Sequence, residues 1–423
     1  MRRWDGTFQV FIFFVLVFIS TSSISQVQEW VVYRRWNSGL PSNQVIVVSI
    51  DELGNKWIGT FGWGLAKFDG KNWTVYNVEN SPLPSNFIQV ISVDGQGNKW
   101  IGTNGGGLAK FDGVNWTVYT TLNSGLPDST VWAIAIDKQK KVWIGTYGGG
   151  LAVFDSFNWT VYTHSNSDLP SDYIQALAID KQGIVWIGTI SGLARFDGKN
   201  WKVYRDFNSG LPDNDVWAIV IDKEDNKWIG TWTRGVAKFD GKNWTVYNEW
   251  NSSLPSNLVY AIAIDDSGNK WIGTEKGVAK FDGLNWKVYN RENSPLPADP
   301  VYSIAIDKLG NKWMGTYGGL AVYREGGVII EPVGIPKNFS LHQNYPNPFN
   351  ITTGIGFDIS ERGFVRLVVY DVLGRDVRRL VERELEAGKY LISFDARGLP
   401  SGIYFYRLEV GGQVEVKKMV LVK

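Results

Sequence analysis

The chain has 423 residues, with 43 basic and 42 acidic side chains and a formal net charge of +1. So even a balance sets up no bulk field that would draw in nucleic acid or an anionic membrane. With no cysteine and only two histidines, disulfides, thiolate metal sites and cysteine nucleophiles are excluded, and a zinc centre or a Ser-His-Asp triad would have to use His164 or His342.

In chain order, Met1-Arg2-Arg3 is a basic start, followed by an apolar run over residues 8–19 broken only by Gln9. Small residues at Ser23-Ile24-Ser25 fit a cleavage site before Gln26. The run is short for a membrane span, and the pattern predicts a secretory signal peptide over residues 1–25.

The tetrapeptide Trp57-Ile-Gly-Thr60 sets the rhythm of the next three hundred or so residues. It returns at Trp100, Trp143, Trp186, Trp228 and Trp271, and as Trp313-Met-Gly-Thr316, with a step of about 43 residues. Within one period, Trp73-Thr-Val-Tyr76 leads through a polar loop ending in Leu83-Pro84. The runs 88–94, 99–103 and 108–111 come after it. Four short β-branched and aromatic runs bounded by Gly, Pro, Asn or Asp predict the four strands of a propeller blade.

The turns carry their own logic. Asp51-Glu-Leu-Gly-Asn-Lys-Trp57 places a carboxylate that can accept backbone N–H groups next to a glycine that tolerates positive φ. Asp-Gly at Asp69, Asp112, Asp197, Asp240 and Asp282 is a hairpin signal. One carboxylate per turn is too few oxygens for a calcium site. The glycine of each Trp-Ile-Gly-Thr is expected to admit a neighbouring ring. The Leu of each Leu-Pro is expected to plug a loop onto its blade.

The ends of the array predict how it closes. The outer-strand motif Trp-x-Val-Tyr stands at Trp73, Trp116, Trp159, Trp201, Trp244 and Trp286, but is missing after Leu320-Ala-Val-Tyr323. A lone copy, Trp30-Val-Val-Tyr33, precedes the first unit. The leading strand is therefore expected to complete the last blade, so that no sheet edge is left exposed.

Together, Gly-Asn-Lys-Trp-Ile-Gly-Thr and Gly-Leu-Ala-Lys-Phe-Asp resemble the two-component regulator propeller repeat over residues 30–323. The resemblance implies the fold of the periplasmic sensor regions of hybrid histidine kinases, which are implicated in sensing carbohydrate. Here a single propeller is expected, with no kinase in this chain.

Past residue 328 the period stops. Residues 328–337 are expected to be a linker. Asn344-Tyr-Pro-Asn-Pro-Phe-Asn350 then opens a stretch of short alternating strands at 365–370, 390–394 and 403–408, ending in Lys417-Lys-Met-Val-Leu-Val-Lys423. The pattern predicts a small immunoglobulin-like β-sandwich over 338–423. Its motifs resemble the type A C-terminal sorting domain of the type IX secretion system. That resemblance implies export through the periplasm and outer membrane by that machinery, and a secreted or cell-surface protein. The expected fold is all-β: a seven-bladed propeller over 26–327, closed by its N-terminal strand, followed by the sandwich.

Repeats separate scaffold from what is free to vary. One variable station opens the innermost strand: Ile46, Gln89, Trp132, Gln175, Trp217, Tyr260 and Tyr302. A second comes after Gly-Thr: Phe61 and Trp63, Asn104, Tyr147, Ile190, Trp232 and Arg234, Glu275 and Lys276, Tyr317. Both belong at the channel mouth, where aromatic rings with polar neighbours suit sugar faces or peptide side chains. The residues expected to bind ligand are Trp63, Gln89, Asn104, Trp132, Tyr147, Gln175, Trp217, Trp232, Arg234, Tyr260, Glu275, Tyr302 and Tyr317.

The function expected is non-enzymatic binding of a carbohydrate or a peptide or protein ligand, by a monomer, without cofactor or metal and without nucleic acid. Two alternatives stand beside it. One is a structural or adhesion role at the cell surface. The other is a propeller lyase or glycan-cleaving enzyme using Glu275 or Asp215, for which the sequence shows no convincing carboxylate pair.

Overall fold

The computed structural model describes residues 29–325, 329–331 and 338–422; the expected signal peptide lies outside them. Seven four-stranded antiparallel sheets form the repeat region. The first runs Val45–Ile50, Lys56–Thr60, Leu65–Phe68 and Trp73–Tyr76 from inside to outside. The seventh takes three strands from the end of the array, Val301–Ile306, Lys312–Thr316 and Gly319–Tyr323, and its outer strand, Trp30–Tyr33, from the start. Trp30 pairs with Tyr323 and Tyr33 with Leu320. The Trp30 ring lies 4.8 Å from that of Tyr323, and Tyr33 stacks parallel to Trp313 at 6.1 Å. The ring is closed as its ends predicted.

The core lies between blades. Trp57, 1% exposed, packs with Ile88, Ile91, Ile101 and Phe111 of the following blade. Each repeated indole is also tied down at its polar end. Trp57 Nε1 donates to Asp51 Oδ2 at 2.9 Å, while Asp51 Oδ1 accepts from Asn55 N at 2.8 Å. The same indole bond recurs in all seven blades, from Trp100 to Asp94 through Trp313 to Asp307. The turn aspartate thus serves two partners, of which the sequence suggested only the backbone. A lysine from the next blade completes the clamp: Lys99 Nζ lies 4.8 Å from the centre of the Trp57 ring and 3.8 Å from Asp51. Lys56, Lys227, Lys270 and Lys312 stand likewise over Trp313, Trp186, Trp228 and Trp271. Val142 and Val185 take the lysine's place in two blades.

One expectation is corrected. The glycine of Trp-Ile-Gly-Thr makes room for aliphatic side chains, not rings. A Cβ on Gly59 would stand 2.5 Å from Val47 Cγ1 and 2.6 Å from Ile88 Cγ2, which belongs to the next blade. The Leu-Pro leucines are buried as plugs, Leu40 at 2% and Leu83 at 3% exposure among them.

The C-terminal domain is a sandwich of two four-stranded sheets around a core that includes Phe357, Phe394 and Tyr406. Ile329–Glu331, expected in the linker, pairs with the strand Gly388–Asp395 and so belongs to one of these sheets. The Asn344 motif anchors the chain end. Asn344 N donates to Tyr406 Oη at 2.8 Å, and Asn344 Nδ2 to Thr353 Oγ1 at 3.0 Å. Asn347 Oδ1 accepts from Val420 N, and Phe349 N donates to Val420 O. The motif thereby occupies backbone groups on the outer edge of the last strand, Gln413–Leu421.

Candidate functional site

The mouth of the ring is built by a repeated irregularity. In every blade the innermost strand slips register after its first residue, as between Val131 and Ala133. The residues left unpaired at these bulges are Ile46, Gln89, Trp132, Gln175, Trp217, Tyr260 and Tyr302, which are the first variable station. A bulge re-aims the side chain it carries, so these residues are free of the ladder that fixes their neighbours. The second station is held beside the first by single backbone bonds: Phe61 N to Gln44 O, Asn104 N to Phe87 O, Tyr147 N to Thr130 O, Trp232 N to Asp215 O and Glu275 N to Leu258 O.

Ile46, Phe61, Gln89, Trp132, Gln175, Trp217, Trp232, Tyr260, Tyr302 and Tyr317 line a cavity of about 370 Å³. That is toward the small end of the roughly 300–1,000 Å³ usual for small-ligand sites. It suits one side chain or one sugar ring. Its aromatic residues form a continuous arc. Trp132 lies 5.9 Å from Trp217, which stacks on Trp232 at 4.5 Å; Trp232 lies 5.9 Å from Tyr260. Tyr260 is 4.9 Å from Tyr302, and Tyr302 is 4.4 Å from Tyr317. Ile46, Phe61, Gln89 and Gln175 complete the wall.

Eight of the residues expected to bind ligand therefore come together: Gln89, Trp132, Gln175, Trp217, Trp232, Tyr260, Tyr302 and Tyr317. Five stand outside the cavity lining. Tyr147 backs the Trp132 ring at 4.6 Å and is 46% exposed. Trp63 is 52% exposed with Arg35 over its ring. Asn104, Arg234 and Glu275 are exposed on the loops. The residue just before each inner strand adds three groups the variable stations did not include: Phe87, which meets Phe61 at 4.9 Å; Tyr173, which meets Tyr147 at 4.9 Å; and Asp215.

Asp215 is the hub of the polar groups. Its Oδ1 accepts from Gln175 Nε2 at 2.8 Å and from Trp217 Nε1 at 3.0 Å. Burial pushes its carboxyl above the ordinary 3.8; the bonds from Gln175 and Trp217 oppose that, and the Asp213 carboxylate adds to it. Burial likewise raises the Tyr260 and Tyr302 phenols, with the Glu275 charge contributing to both. Two atoms are left over. Trp132 Nε1 and Gln175 Oε1 are buried, and neither has a hydrogen-bond partner among the described residues. One is a donor and the other an acceptor, so a polar group entering the cavity could satisfy both.

Among the described residues no cluster of His, Asp and Glu could hold a metal ion, and no helix is long and apolar enough to cross a membrane. His164 lies in an outer loop, where its Nδ1 stands 2.5 Å from Asp172 Oδ2.

Comparison with known proteins supplies the relationship. Residues 125–148 and 168–191 match the two component regulator propeller family. Residues 343–423 match the secretion system C-terminal sorting domain. The chain thus carries repeats of the two component regulator propeller type and a C-terminal secretion-system sorting domain. The sorting domain directs export through type IX secretion to the cell surface or the extracellular space. Among solved structures, the extracellular domain of BT3049 from B. thetaiotaomicron, described as a hybrid two component system, is 20% identical with a TM-score of 0.63. The match covers 93% of this chain and 57% of that one. PorZ, a surface component of the type IX secretion system of Porphyromonas gingivalis, is 17% identical with a TM-score of 0.62, covering 93% of this chain and 61% of that one. The chain thus spans less than two thirds of the length of either. Virginiamycin B lyase from Staphylococcus aureus is 13% identical with a TM-score of 0.54, covering 66% of this chain and 94% of that one. These likenesses establish the fold. No curated protein sequence matches the chain.

Proposed function

We propose that this exported propeller is a non-enzymatic binding protein that takes a carbohydrate or peptide ligand at its channel mouth. The observation that carries this reading is the joint presence of an unbroken aromatic arc and two buried, unpartnered polar atoms in one cavity. A channel that only needed filling would have no use for an orphaned indole N–H and an orphaned amide oxygen in the same lining, each costing about 1–3 kcal/mol. The extracellular and surface settings of the two propeller neighbours fit such a role.

Replacing Trp132, Trp217 and Trp232 together by Ala should abolish binding on glycan and peptide arrays, while the array-positive parent retains it. The thermal midpoint should hold within a few degrees, since Trp132 and Trp217 sit at bulges and Trp232 on the loop beside them, outside the inter-blade core. Retention of every array signal in the triple variant would overturn the assignment of the mouth as the site.

A further inference from the structure

The surroundings of the cavity have a sign. Asp215 bonds two of its lining residues, Gln175 and Trp217; Asp213 is close enough to act on Asp215, and Glu275 on Tyr260 and Tyr302. None of the described residues lining the cavity is basic. The nearest cations in sequence are otherwise disposed: Lys276 is 62% exposed and pairs with Glu249 at 3.5 Å, Arg35 lies over Trp63, and Arg234 is exposed on its loop. Asp215 is thus a half-buried carboxylate whose bonding partners are an amide and an indole, with no counter-ion among the described residues. The buried electrostatics elsewhere in the ring look different, since Asp51, Asp180, Asp265 and Asp307 each have a lysine within 4 Å.

We infer that the mouth recognises a cationic side chain, lysyl or arginyl, presented by a peptide. This deepens the binding role proposed above and rests on it. The stacked faces of Trp217 and Trp232, with Tyr260 and Tyr302 beyond them, offer the negative π-surface that attracts an organic cation. The cation supplies N–H donors for Gln175 Oε1 and a counter-charge for Asp215. The main-chain carbonyl that accompanies it in a peptide supplies an acceptor for Trp132 Nε1. An anionic ligand meets the Asp215 carboxylate, which bonds Gln175 and Trp217 of the lining, with no counter-charge among the lining residues. A neutral sugar can satisfy the two orphaned atoms but leaves Asp215 unneutralised. A simple amine neutralises Asp215 but leaves Trp132 without an acceptor.

The test uses tryptophan fluorescence and calorimetry on the exported full chain. The probes are N-acetyl-arginine amide and N-acetyl-lysine amide. Controls are N-acetyl-citrulline amide, methylguanidinium and methyl glucoside. Saturable binding of a cationic amide is expected, weakened by about tenfold or more when the charge is removed in citrulline or when Asp215→Asn removes the counter-charge. Asp215→Asn retains both existing hydrogen bonds, and its unchanged near-ultraviolet dichroism would show that the mouth is intact. Methylguanidinium should bind more weakly than the arginine amide, and Trp132→Phe should erase that difference. Equal affinity for citrulline and arginine, or an unaffected Asp215→Asn, would overturn the cationic assignment. Saturable glucoside binding that is lost in Trp217→Ala, with no response to the cations, would leave the mouth as a site and sink only the charge preference. No saturable response to any probe would sink both.

Discussion

At the scale of single residues, the turn aspartates do the most for the fold. Asp51 joins an indole, two donors of Asn55 and a lysine of the next blade. Removing it by Asp51→Ala leaves the Trp57 N–H buried without an acceptor, and should lower stability by about 1–3 kcal/mol, read from the urea midpoint. The same groups set a pH dependence. Burial acts to raise the carboxyls of Asp51, Asp94 and Asp222, but the indole and asparagine donors outweigh it and hold them below their ordinary 3.8. A carboxyl with a folded value below its unfolded one stabilises the native state fully above 3.8, and that stability is lost as pH falls through the lowered value. Urea midpoints should therefore be flat down to about pH 5 and then drop steeply toward pH 2. The drop should be smaller in Asp51→Asn, which has no such proton to take up.

At the scale of elements, the sandwich shows how a loop can hold a strand. Tyr406 Oη accepts from Asn344 N and donates to His342 O, both at 2.8 Å. Tyr406→Phe should strand both backbone groups and cost the C-terminal domain about 1–3 kcal/mol, visible in calorimetry of the full chain as a lowered sandwich transition with the propeller transition unmoved. Strands of this kind were legible beforehand because their side chains alternate. Blade boundaries were legible because Trp-Ile-Gly-Thr returns at a fixed step. The strand Asp376–Leu385 was harder to see, since Arg378, Arg379, Glu382 and Glu384 leave little apolar alternation to read. The bulge was not legible at all. It lies in the backbone register, and the sequence registers it only as a position that refuses to repeat. That refusal was enough to find Trp132 and Gln175. It could not reveal that Asp215 bonds both Gln175 and Trp217, because the bond to Gln175 runs between blades forty residues apart in sequence. Glu275 and Arg234 vary between blades as the lining residues do, but variation on an exposed loop tip does not separate a lining residue from a neighbour.

At the scale of the whole molecule, closure depends on the short strand Trp30–Tyr33. A variant lacking residues 26–36 should keep its first six blades but expose the edge of Gly319–Tyr323 and the Trp313 ring that Tyr33 covers. It should bind a hydrophobic dye, lose its single sharp unfolding transition and form higher-order species in light scattering. Supplying a peptide of sequence Trp-Val-Val-Tyr with its flanks should partly reverse these effects, as strand addition would predict.

The lysine that caps each indole is missing in two consecutive places, where Val142 and Val185 face Trp100 and Trp143. These are the junctions on either side of the third blade, the one that carries Trp132. The inter-blade clamp is thus uneven around the ring, and the two joints without this lysine flank one wall of the cup. Amide protons there should exchange with solvent before those of the opposite side. A guest too wide for the resting opening would find its give on that flank.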